Sequence, residues 1–207
     1  MFANQLLLMK TLFTLFIGLA AGALLAQSAV TVTNTADAGP GSFRQALLDA
    51  NANAGIDTIK FNIPASDGGY NVATGVFTIQ ISSAALPAIL NRDLYIDGSS
   101  QTAFTGNSNN TIFGTGGTVG VDGLSLSQVD GPEIQIIDGG NFPTGLRIER
   151  CNVTLRQLAM SGFGNTWSSS IDANVLVLSG GINTHIPTLS IAYWGLGPLL
   201  MLPFRGM

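Results

Sequence analysis

Histidine and cysteine each occur once in 207 residues, charged side chains make up only 10%, and the basic residues never gather into a run. Each scarcity excludes a class of chemistry. A single thiol, Cys151, rules out an internal disulfide and any zinc site built on cysteine pairs. It stands in RIERCNVTL with no histidine or basic cluster beside it, and reads as a small buried thiol rather than a reactive one. The lone His185, in INTHIPT, leaves triad chemistry without a candidate set and reads as a turn or surface residue. With 8 Lys and Arg against 12 Asp and Glu, the electrostatic footprint of a nucleic-acid partner is missing. The chain also lacks a Gly-x-Ser-x-Gly elbow, a phosphate loop and a dinucleotide fingerprint.

Long apolar runs are scarce except at the start. There, Lys10 precedes an uncharged run from Thr11 to Ala26, which gives way to small residues around Ala26, Ser28 and Ala29. A positive start, an apolar centre and a small-residue exit are the organisation of a secretory signal peptide, here residues 1–28. The run falls short of the roughly 20 residues that span a bilayer, so cleavage is preferred to a retained anchor. Met9 before Lys10 makes the more conventional start, and residues 1–8 then form an upstream extension. Export to the cell surface or the medium, with no membrane segment in the mature form, is the expected location.

What the chain has in quantity is glycine, 26 residues, and short runs of alternating apolar residues. AVTVTNT, DTIKFNI, VFTIQI, DLYIDG, EIQIIDG, NVTLRQL and NVLVLSG each read as a strand bounded by turn residues. From the second run on, their central residues are Ile59, Ile79, Ile96, Ile136, Leu155 and Val175, with gaps of 20, 17, 40, 19 and 20; TVGVDGLSLS (118–127) fills the double interval. A degenerate period near 20 predicts an all-β solenoid, with a Greek-key sandwich as the competing fold. SFRQALLDANAN, residues 42–53, stands apart. Ser42 and Gln45 form a capping box, and Phe43, Ala46, Leu47 and Ala50 share one helical face while Arg44, Asp49 and Asn51 point away from it. Such a helix caps the first rung, with Phe43 and Leu47 buried near Ile59 and Phe61.

The stretch VTVTNTADAGPGSFRQALLDANANAGIDTIKFNIP resembles the N-terminal segment of exported bacterial right-handed parallel β-helix (pectin-lyase-like) proteins with a CSLREA-type motif. In GSFRQA, Ser42, Arg44 and Ala46 match that motif, while Gly41, Phe43 and Gln45 replace its Cys, Leu and Glu. IDG at 96–98 and IIDGG at 136–140 are similar to strand ends of the same proteins. The resemblance, which covers roughly residues 30–164, implies a right-handed parallel β-helix and an adhesin-like surface role; the β-helix domain is expected over residues 29–180. The apolar tail, residues 181–207, departs from it. It has no polar capping segment, so it reads as a makeshift cap or as the end of a truncated or frame-shifted piece of a longer protein.

Two functions follow as expectations. The first is an exported, non-catalytic scaffold that contacts polysaccharide or cell-surface glycan, with no cofactor; QTAFTGNSNNTIFGTGGT (101–118) supplies polar material that serves either as sugar contacts or as solvated loop. The alternative is a Ca²⁺-dependent, pectate-like lyase. It places Asp97, Asp122 and Asp138 as metal ligands at the ends of stacked strands, with Arg156, Arg147 or Arg150 as the base. Against it, Asp before Gly is a turn pair whose carboxylate serves local N–H groups. A short product without independent function is the third reading.

Overall fold

Period-two alternation puts the isoleucines and phenylalanines of the short runs on one side of each strand, and that side forms a single core. The computed structural model describes residues 28–53, 55–90, 93–113, 118–119, 124–125, 128–149, 151–164, 172–178, 189–191 and 199–202. The candidate signal segment before Ser28 lies outside them, as do Asp122, Arg150 and His185. The first sheet is wholly parallel. It orders β1 (Ser28–Val32), β2 (Ile56–Phe61), β6 (Leu94–Asp97), β13 (Val153–Arg156) and β16 (Leu189–Ile191). A second sheet orders β14 (Leu158–Ser161), β11 (Ile134–Asp138), β4 (Val76–Ile81) and β3 (Tyr70–Asn71), the last pair antiparallel. The third, parallel again, orders β17 (Leu199–Leu202), β15 (Ala173–Leu178), β12 (Thr144–Glu149) and β5 (Ile89–Leu90).

The expectation of an all-β right-handed parallel β-helix with one capping helix is not met. The chain is mixed α/β, built from parallel and mixed sheets, and the described residues form no closed solenoid. Its 20-residue runs do not stack one on the next. Ile59 pairs with Ile96, and Ile96 with Leu155, while Ile79 pairs with Ile136 on a different sheet and Val175 with Leu146 on a third. The segment read as the missing rung folds back instead, with β8 (Thr118–Val119) antiparallel to β9 (Leu124–Ser125). A second antiparallel pair joins β7 (Ile112–Phe113) to β10 (Val129–Asp130). The parallel pairings equally exclude the antiparallel sandwich.

Helix α1 (Phe43–Ala52) forms where its sequence places it. Gln45 N–H donates to the Ser42 hydroxyl at 3.1 Å, which closes the N-terminus. The capping box is only half made, because the Gln45 side chain donates to Asp49 at 2.8 Å and the Ser42 N–H goes to the Gly39 carbonyl. Phe43, Ala46, Leu47 and Ala50 are all buried, and the Phe43 ring stacks on Phe61 with centroids 5.9 Å apart. The polar face is covered as well. Arg44 donates to Asp37 at 2.6 Å and to the carbonyls of Ala84 and Ala85, and Asn51 holds the Ala88 carbonyl and the Leu90 N–H. The segment between β4 and β5 is thereby strapped across the helix.

The second helix, α2 (Ser99–Thr105), has no apolar stripe; Gln101 is its only buried residue. Hydrogen bonds dock it. Beyond Lys60 the strand β2 has outrun its partner β6, and side chains of α2 take over the ladder. The Ser100 hydroxyl accepts the Phe61 N–H at 2.7 Å. The Gln101 carboxamide accepts from the Ile63 N–H and donates to the Ile63 carbonyl, both at 2.9 Å, as a facing residue of an adjacent strand would. Gln101→Met leaves two buried backbone groups unpaired, at about 1–3 kcal/mol each. Urea denaturation should show a loss of about 3 kcal/mol; a loss below about 1 kcal/mol would contradict the pairing.

Asp37 carries the main pH dependence of the fold. Burial raises its carboxyl pKa, but the Arg44 guanidinium and the hydroxyl and N–H groups of the Ser82–Ser83 pair outweigh burial and hold it well below the ordinary 3.8. Asp67 is also lowered, because its bonds from Thr35 and the Gly69 N–H overcome a burial effect of the opposite sign. A depressed folded-state pKa adds stability above the unfolded value and loses it as pH falls toward the folded one. Unfolding free energy should therefore drop as pH falls below the ordinary 3.8. Asp37→Asn should be less stable at neutral pH and show a shallower acid slope in the same urea series.

Candidate functional site

The outer face of the second sheet carries the polar half of its alternation. Across β4, β11 and β14 the register sets Thr78, Gln135 and Ala159 in one row and Gln80, Ile137 and Ser161 in the next. Over this face sits the segment from Ser108 to Phe113 with the turn at Gly131 and Pro132. Between wall and sheet lies a cavity of about 310 Å³. Asn109, Thr111, Gln135 and Ser161 give it polar groups, Val76, Phe113, Pro132 and Ala159 give it apolar surface, and Met160, which belongs to the buried core, borders it. None of these side chains is ionisable.

The wall is pinned at three points. The Ser108 hydroxyl donates to the Gly75 carbonyl at 2.6 Å. A Cβ at residue 75 would come within 1.7 Å of the Ser108 carbonyl oxygen, and φ there is +71°, so only glycine fits. Buried Asn109 donates to the Pro132 carbonyl at 2.8 Å and accepts the Thr111 N–H at 3.0 Å, and the Gly131 N–H reaches the Thr111 carbonyl at 2.6 Å. Both ends of the Asn109 carboxamide are thus spent on structure. Gln135 is differently placed. Its amide nitrogen lies 3.5 Å from the Ser161 hydroxyl, a long bond, on the half-buried sheet face that floors the cavity.

The residues singled out from sequence are scattered. Asp97 ends β6 in the first sheet and Asp138 ends β11 in the second, so they do not align on one face. Each carboxylate serves its own turn. Asp97 accepts from the Ser99 N–H at 3.1 Å and from its hydroxyl, and Asp138 accepts the N–H groups of Gly140 and Phe142, both at 2.9 Å. Asp122 and Arg150 lie outside the described residues. Arg156 is the one candidate base brought beside a candidate acid, paired in register with Asp97, and its guanidinium lies 3.5 Å from the Tyr95 hydroxyl. Arg147 is exposed on β12 and ion-paired to Glu149 at 2.5 Å. Cys151 is buried, its thiol pointing at the Ile89 carbonyl. Among the described residues no three acidic, histidine or cysteine side chains converge as a metal site would require, and no helix is long and apolar enough to cross a membrane.

Gln135 and Ser161 were not visible as site residues in the sequence, whereas Phe113 falls within the stretch 101–118. Alternation in EIQIIDG marks Gln135 as outward-facing, but not what stands above it. Asn109 and Thr111 do fall within the polar stretch 101–118. Asn109→Ala removes the donor to the buried Pro132 carbonyl and should cost about 1–3 kcal/mol. It should also loosen the wall: amide hydrogen exchange at Thr111 and Gly131 should quicken at least tenfold while that of Ile136 stays unchanged.

No protein-family model, no curated protein and no solved structure matches the chain.

Proposed function

We propose that the protein is an exported or cell-surface one that contacts glycan without cleaving it, through the cavity over the second sheet. The observation that carries this reading is the lining itself. Hydroxyl and carboxamide groups beside an aromatic side chain and aliphatic surface suit a sugar, which has hydrogen-bonding hydroxyls and apolar C–H faces. Among the described residues no ionisable side chain lines the cavity, so none of them offers an acid or base for bond cleavage there. The pinned wall keeps it formed before binding, which lowers the ordering cost of association. The calcium-dependent lyase reading lacks such support, since Asp97 and Asp138 stand on different sheets and spend their oxygens on local N–H groups.

The test is a glycan-array screen of the purified protein with a Gln135→Ala, Ser161→Ala double variant as control. Wild type should retain a subset of glycans and leave their chain length unchanged, and the variant should lose at least tenfold in binding at an unchanged melting temperature. Equal binding by the variant would move the site elsewhere. Release of unsaturated oligosaccharides would overturn the non-catalytic reading, and recovery of the full chain only from the cytosol of its source cells would overturn export.

A further inference from the structure

A glycan site can take neutral sugars, sugar acids or both. Resting on the glycan reading, we infer that this cavity selects neutral sugars, and that Glu133, an acid set behind its floor, is the residue that turns sugar acids away. Glu133 is 1% exposed. Its carbonyl accepts the Phe77 N–H at 2.8 Å, so the ladder of β11 with β4 runs one residue past the registered pair of Ile134 and Phe77. That places Glu133 beside Val76 and two positions before Gln135, both of which line the cavity. Alternation sets it on the same sheet face as Gln135, about 7 Å away along the strand. From helix α2 the Thr102 hydroxyl donates to its carboxylate.

Docking of α2 explains the hydroxyl bond but not the charge. A glutamine would accept the same hydroxyl and cost less to bury, because a carboxylate taken out of water needs a counter-charge or several donors. Among the described residues Glu133 has neither. The ion pairs there join Arg44 to Asp37 and Arg147 to Glu149, and the Thr102 hydroxyl is the one donor to its side chain. Negative charge held away from water is weakly screened, so it acts on whatever fills the cavity beside it. No Lys, Arg or His among the described lining residues offsets it. A sugar acid would bring a second negative charge into that field and shed water to do so, with no cation to meet it. A neutral hexose meets only the hydroxyl and carboxamide groups of the lining. A hexuronate differs from its hexose in carrying a carboxylate in place of the C6 hydroxymethyl group, so each such pair separates charge from ring shape.

Ligand-observed NMR titrations of the whole protein at neutral pH test this with glucose against glucuronate and galactose against galacturonate. At least one hexose should bind, with a Kd at least tenfold below that of its uronate. Glu133→Gln keeps the bond from Thr102 and should bring each uronate within threefold of its hexose by tightening the uronate, while the hexose Kd and the thermal midpoint stay put. Thr102→Val breaks the bond but leaves the carboxylate, and should keep the preference even where it lowers the thermal midpoint. Uronates bound as tightly as hexoses by the unaltered protein, or a preference that survives Glu133→Gln, would overturn selection by Glu133 and leave the glycan reading standing. A preference lost in Thr102→Val would overturn it in the same way, since the link to α2 would then be the cause. Binding of none of the four sugars would overturn both.

Discussion

Short strands leave many backbone groups at their ends, and each N–H or C=O buried there must find a partner other than a ladder. That constraint governs this molecule more than any other. Its strands run from two to six residues, so side chains carry much of the pairing that longer strands would do for themselves. Asn51 holds the entry to β5, Asp138 closes the turn after β11, Asn109 fixes the cavity wall, and Ser100 and Gln101 extend the ladder of β2. Apolar burial supplies the larger free energy, with each isoleucine of the Ile59, Ile96 and Ile79, Ile136 pairs contributing about 1.5–3 kcal/mol. Burial alone does not fix where loops lie on a sheet. The carboxamides and hydroxyls do.

The same constraint explains how a chain with so few charges stays ordered at its crossings. Most connectors are neutral, and their hydrogen bonds need no counter-charge. The packed ion pair of Asp37 and Arg44 is placed where several strand-end groups converge. Asp37 gathers the N–H groups of Ser82 and Ser83, and Arg44 gathers the carbonyls of Asp37, Ala84 and Ala85. A half-desolvated pair is costly unless its remaining donors and acceptors are met. Here the strap between β4 and β5 meets them. The pair and the strap are therefore conditional on each other, and Arg44 belongs to the fold, although its helical position alone points it toward water.

What was legible in the sequence follows from the range of the interaction that decides each feature. The stripe of Phe43, Ala46, Leu47 and Ala50 and the Ser42 cap are set within one turn of helix, and α1 stands where they put it. The alternating runs are strands because period two is also local. Which strand pairs with which is not local. A period of 20 residues is equally consistent with one sheet or several, and only the register of Ile59 on Ile96 and Ile79 on Ile136 shows that neighbouring runs enter different sheets. Helix α2 was illegible for another reason. SSQTAFT has no apolar face and no side-chain N-cap, and it is helical because its side chains dock on residues about 38 positions earlier. The cavity depends on the pairing of Phe113 with Val129 across a polar, glycine-rich stretch, which no local pattern announces.

Gln101 and Gln135 make the passage from fold to function concrete. They are the same side chain with the same donors and acceptors, and their difference lies in what faces them. Gln101 is buried beside a strand that has outrun its partner, so the N–H and the carbonyl of Ile63, from two successive peptide groups, meet the two ends of its amide. Gln135 sits on a sheet face roofed at a distance, where the neighbouring carboxamide, Asn109, is already spent on holding that roof. The first arrangement stabilises the chain and the second leaves hydrogen-bonding capacity unspent inside a formed, uncharged cavity. Unspent capacity of that kind lowers stability relative to a fully paired core, and binding a ligand of matching shape recovers it. The fold holds the roof with Asn109 and leaves the Gln135 carboxamide facing the cavity, and the proposed contact with a neutral glycan rests on that difference.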